Sequence, residues 1–331
     1  MEKQSEFFTE QLASKGFVTP EQHNDIKEYR QRGIFSLNSE LLFFVYLSVL
    51  LFTSGVGIFV YKNIDSIGHL AILTANFILM LVCFYFSFRK GKGFSKEEVF
   101  FDNPMYDYLV LTGSILACIF VGYIQYQYAV FGKDYGLVSL FSAVLCFGVA
   151  YYFDNKSVLS IAITALATFI GITITPQTLL QNEIYSNPNL SYSGLALGAL
   201  LILWMEYSVS QNFKKHFQLI YVTFALNLVC ICCIAGLLEN YWFVFVPLMV
   251  AAIYYFYKLS YQKHSTFIFV VSLLYGYIGI NIFLGRVIGL LTIGDLVSFL
   301  IFCSPFYIIG SIVLFIKLVQ KFNKEKHASI Q

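Results

Sequence analysis

Ten apolar stretches recur along the chain from Leu41 onward, and each is about 18 to 23 residues long. They cover 41–61, 67–87, 108–127, 136–153, 157–175, 192–210, 217–238, 241–258, 265–284 and 296–318. A helix rises about 1.5 Å per residue, so about 20 residues cross a hydrocarbon core of about 30 Å. Helices of soluble domains are two-sided, whereas these stretches are apolar all round. The alternation of apolar and polar residues that a membrane barrel needs is absent. A backbone inside lipid then has one way to pair its own polar groups, which is the helix. The expectation is an all-α integral membrane protein, a bundle of about ten transmembrane helices over 41–318.

Composition closes off the soluble alternatives. The chain has 331 residues, of which 58% are apolar and 12% charged, with a mean hydropathy of +0.71. A soluble domain is about a quarter charged. Charge this sparse covers neither one soluble domain nor two. A net charge of +2 gives no reason to expect a nucleic-acid partner.

Where the charge lies says more than its sum. With ten spans and the N-terminus inside, 18 Lys/Arg fall in cytoplasmic segments and 3 outside, the latter being Lys62, Lys133 and Arg286. Cytoplasmic loops are the Lys/Arg-rich ones. The reading is a multi-pass protein of the inner (cytoplasmic) membrane, with N- and C-termini cytoplasmic and residues 319–331 as a cytoplasmic tail. The segment 285–296 is open between a lengthened ninth span, a re-entrant piece and an outer loop.

Residues 1–40 contrast with the rest, holding five Lys/Arg and seven Asp/Glu. Thr19-Pro20-Glu21-Gln22 reads as a helix start, with Thr19 as N-cap, Pro20 first in the helix and Gln22 as the reciprocal cap. Gly16 ends a preceding helix over about Ser5 to Lys15. These two short helices form a cytoplasmic hairpin too small to hold a core alone. It leans on the membrane-embedded body or pairs with another copy of the chain. No cleavable signal peptide is expected, because the first apolar run starts only at Leu41.

The seven cysteines all sit in apolar runs, without the His partners of a zinc site. Cys230, Cys232 and Cys233 read as small apolar helix residues. Ionisable groups deep in a span are costly and mark function. Glu206 is the one acid inside a span, near its cytoplasmic end beside Trp204 and Tyr207, where it snorkels to water. Asp295 is assigned to an outer mouth. His23, His69, His216, His264 and His327 fall in loops, tails or span ends, so no proton relay emerges.

Neutral polar groups remain: Asn76, Asn227, and the stripe Thr164, Thr168, Thr173 and Thr175. Interhelical hydrogen bonding is the plainer reading, and substrate binding the sharper one. Pro247 and Pro305 disturb their helices, as broken transporter helices do, though proline is common in membrane spans. Gly194-x-x-x-Gly198 allows close helix approach, within the chain first and between copies second. Gly91 and Gly93 form a turn in a basic loop, with no strand–helix unit after them. No phosphate-binding loop, His-Glu-x-x-His or nucleophile elbow occurs. Asn189-Leu190-Ser191 matches the short pattern of a glycosylation acceptor, to which no role is assigned. No catalytic, cofactor-binding or metal residue is therefore assigned.

Leu12, Gly16, Val18, Thr19, Glu21, Gln22, Ile26 and Tyr29, followed by the span Leu41 to Val60 with Gly55 and Gly57 and then Asn63, carry a resemblance. Over roughly the first 150 residues the chain resembles the bacterial membrane family called domain of unknown function 2157. That family often carries Asn-Trp where this chain has Asn63-Ile64. The resemblance implies a multi-spanning protein and brings no catalytic residues. The functional expectation is a non-enzymatic scaffold, envelope or sensing protein. The alternative is a transporter or channel for a small neutral or lipid-like substrate. Membrane lipids and a partner of the hairpin are the expected contacts.

Overall fold

Apolar runs of this length have to hydrogen-bond internally, and they do. The computed structural model describes residues 17–19, 21–25, 47, 51, 54–55, 58, 62 and 68–328, apart from 100, 102, 104, 133, 175–187 and 292–293. Among these residues there are helices and turns but no strand. Nine long helices follow one another: α1 (His69–Lys90), α2 (Met105–Tyr128), α3 (Tyr135–Phe153), α4 (Lys156–Ile174), α5 (Pro188–Ser210), α6 (Gln218–Leu238), α7 (Trp242–Gln262), α8 (Thr266–Leu291) and α9 (Gly294–Ala328). Each holds a window long and apolar enough to cross a bilayer. Every expected stretch from 67–87 to 296–318 falls on one of them.

Residues Met1–His69 form a compact unit separate from Leu70–Gln331. Most of the expected hairpin 1–40 and of the stretch 41–61 lies outside the described residues. The helix start at Thr19 is described. The Thr19 N–H donates to Gln22 Oε1 at 3.0 Å, and the Gln22 N–H donates to Thr19 Oγ1 at 3.3 Å. This is the reciprocal cap expected of Thr-Pro-Glu-Gln.

Within Leu70–Gln331, α6 is the hub. It packs against α4, α5, α7 and α8, and 44% of its apolar window is buried, against 6% for α9. Lipid tails are as apolar as leucine, so helices associate by close fit. Glycine supplies that fit. A Cβ on Gly194 would run into Cys232 Sγ, and one on Gly198 into Val229 Cγ2. The Gly194-x-x-x-Gly198 face of α5 is thus consumed inside the chain, against α6. Cys230 and Cys233 are fully buried in the same core, with Leu226, Leu201 and Ile163. Gly236 gives its space to the Phe245 ring of α7, and Gly279 lies where a Cβ would meet Met249 Cε at 2.9 Å.

One open boundary falls to one of its alternatives, and one boundary differs from expectation. Helix α8 runs on to Leu291, so residues 285–291 lengthen the ninth expected span. Arg286 explains the extension. Its guanidinium, carried on α8, donates to the carbonyls of Leu237, Leu238 and Glu239 at the C-terminus of α6. Helix α9 spans 35 residues and continues through the expected tail to Ala328. Asp295 belongs to this helix. Pro247 and Pro305 sit inside helices that run on past them.

Candidate functional site

The turn between α3 and α4 has two residues, Asp154 and Asn155. So short a reversal needs a left-handed residue, and Asp154 takes it at φ 59°, capping α3 by an N–H bond to the Ala150 carbonyl. Asn155 starts α4. Its Oδ1 accepts from the Val158 N–H at 3.0 Å, and its Nδ2 donates to the Asp107 carbonyl at 3.0 Å.

That geometry turns the Asp154 carboxylate inward, among three loops at the Lys/Arg-rich end. Oδ1 accepts from Lys214 Nζ at 2.5 Å, and Oδ2 accepts from the Val99 N–H at 3.0 Å. The two side chains are 1% and 0% exposed. Lys214 is itself left-handed at φ 52°, which brings its N–H to the Lys96 carbonyl at 2.9 Å. Its ammonium lies 5.1 Å from the Phe94 ring centroid, within cation–π reach. His216 Nε2 stands 2.9 Å from Asp154 Oδ1 but without hydrogen-bond alignment. Lys214 is therefore the main counter-charge. At the rim, the more exposed Lys156 pairs with Glu98 at 2.7 Å.

An aromatic layer backs the pair. Tyr151 stacks on Phe213 and meets Phe217 edge-on. Its hydroxyl lies 2.7 Å from that of Tyr221 and accepts from Trp204 Nε1 at 2.8 Å. A cleft of about 250 Å³ opens beside the cluster, lined by Glu98, Asp107, Asp154, Asn155 and Lys156 among others. Glu98, Asp154, Lys156 and Lys214 each face an opposite charge. The cluster joins segments 91–99, 154–155 and 211–217, so it places three loops of the expected basic side at one end of the bundle.

The sequence-singled residues are scattered by comparison. Asn227 makes the interhelical bond: it accepts from Tyr275 of α8 at 2.7 Å and donates to the Thr223 carbonyl at 2.7 Å. Asn76 does not, and its Oδ1 is buried without a partner. Thr164, Thr168 and Thr173 correct the interhelical expectation, since each hydroxyl donates to a carbonyl four residues back in α4. Thr175 lies outside the described residues. Glu206 is exposed and accepts from Tyr255 at 3.1 Å. Gly93 turns at φ +81°, and Gly91 lies where a Cβ would meet Phe153 at 3.2 Å. Among the described residues, no group of three or more His, Cys, Asp or Glu is placed to hold a metal ion.

Sequence reasoning missed Asp154 and counted Lys214 as one more basic loop residue. The available signal was an acid in a two-residue turn between apolar spans, where solvent exposure is hard to keep.

The nine bilayer-length helices among the described residues, packed through glycines and latched by ion pairs at one end, define a multi-pass, all-α membrane protein. Residues 10–159 match the family described as predicted membrane protein (DUF2157), the family whose resemblance the N-terminal motifs carry. No curated protein and no solved structure matches the chain.

Proposed function

We propose that this is a non-enzymatic protein of the bacterial inner membrane, with a scaffold, envelope or sensing role and both termini in the cytoplasm. Its N-terminal hairpin, 1–40, meets a protein partner. The observation that carries the reading is the closure of the Asp154 cluster. A site that turns over a substrate keeps a charged group accessible, whereas Asp154 and Lys214 are spent on each other and on three loop segments. The cluster fixes a face by pairing Asp154 with Lys214 and Glu98 with Lys156. The sidedness draws on the 18-to-3 distribution of Lys/Arg.

The test is a pull-down with the full chain and with a form lacking residues 1–40. Loss of a captured protein while membrane insertion persists supports the reading, and an unchanged capture defeats it. A reporter fused after Gln331 should behave as cytoplasmic. Export of the reporter would reverse the sidedness.

One observation favours the second reading, a carrier or channel for a small neutral or lipid-like substrate. Ser139, Ser142, Ser160, Thr164 and Thr168 line a groove of about 480 Å³ along α3 and α4. The first reading expects a cysteine placed at Thr168 to resist a membrane-impermeant thiol reagent. Rapid labelling would favour the carrier.

A further inference from the structure

The Lys/Arg-rich end carries a second feature, away from Asp154. The start of α6, the turn between α7 and α8, and the far part of α9 enclose a crevice of about 570 Å³. Its rim holds Lys263 and Lys326, and among the described residues no carboxylate lines it. Lys326 Nζ lies 3.4 Å from Thr266 Oγ1, so the ammonium sits over the first residue of α8. That helix is 26 residues long, and the positive end of its dipole faces the same space. Below the rim the wall becomes apolar. Leu219 and Phe267 are 55% and 54% exposed, one on each side of the crevice.

Two cations above and exposed apolar side chains below make a wall graded like the edge of a bilayer. A soluble anion matches only the upper half. Basic crevices between membrane helices hold phosphate headgroups for this reason. We infer that the crevice binds an anionic phospholipid, its phosphate between Lys263 and Lys326 and an acyl chain running down over Leu219 and Phe267. This inference is independent of the proposed scaffold role.

The full chain, purified and supplied with phosphatidylglycerol or phosphatidylcholine, tests it by native mass spectrometry. Phosphatidylglycerol should remain bound where phosphatidylcholine is lost. Each lysine is worth roughly fivefold, so K263Q/K326Q should bind on the order of 25-fold more weakly. K317Q/K324Q, which alters two exposed lysines of α9 outside the crevice, should keep the lipid. Leu219→Trp fills the lower half with both lysines intact and should also weaken retention, which decides the matter if the double variant does not fold. Inorganic phosphate at millimolar concentration should not displace the lipid. Equal retention of phosphatidylcholine, undiminished binding by folded K263Q/K326Q or by Leu219→Trp, or displacement by phosphate would each overturn the assignment.

Discussion

Asp154 and Lys214, sixty positions apart in the chain, meet at 2.5 Å with both side chains shielded from solvent. Breaking one side of such a pair strands the other charge, at about 3–5 kcal/mol. Asp154→Ala should therefore lower the melting temperature in detergent sharply. Replacing both partners together, as in D154L/K214M, should recover much of the loss, because well-packed apolar residues often substitute for a buried pair. A double variant no better than the single one would show that the Val99 bond, and not the ion pair, carries the effect.

Gly198→Leu should act within one molecule. The added side chain drives Val229 away and parts α5 from α6, a strain of about 1–3 kcal/mol or more. Thermal unfolding should fall while the oligomeric state, read by light scattering, stays unchanged. A change of oligomeric state at constant stability would place that glycine face between copies.

Cys118 of α2 and Cys146 of α3 have sulfur atoms 3.6 Å apart. A disulfide needs about 2.05 Å, which a small side-chain adjustment supplies. Oxidation with copper phenanthroline should remove two free thiols and create no intermolecular cross-link. Retention of both thiols, counted by mass after alkylation in denaturant, would show that α2 and α3 pack in another register.

The Tyr275–Asn227 bond joins α8 to α6. Interhelical bonds of this kind average about 0.6 kcal/mol in membranes and reach about 1.7. A double-mutant cycle of Tyr275→Phe and Asn227→Leu, followed by unfolding, should return a coupling in that range. A coupling near zero would mean that the two side chains act separately.

The described helices were legible because each lies on a long, uninterrupted apolar run. The cap at Thr19 was legible because four local residues encode it. The Gly194-x-x-x-Gly198 contact was legible as a close approach, and its partner helix only as a preference. The Asp154 cluster was hidden for a different reason. Its members come from three loops, and each looks locally like ordinary interfacial charge. Hydroxyl groups were misleading in α4, where bonding to the preceding turn satisfies Thr164 and Thr168 without help from a neighbour. The end of α9 escaped notice because hydropathy marks where lipid stops, which is not where a helix stops.

At about 1.5 Å per residue the 35 residues of α9 measure about 52 Å, some 20 Å more than a hydrocarbon core is thick. The far end is docked: Phe322 stacks on Phe269 of α8, and Asn323 Oδ1 accepts from Thr266 Oγ1 at 3.2 Å. Bilayer thickness sets tilt, so a bilayer that re-tilts α9 carries the start of α8 with it.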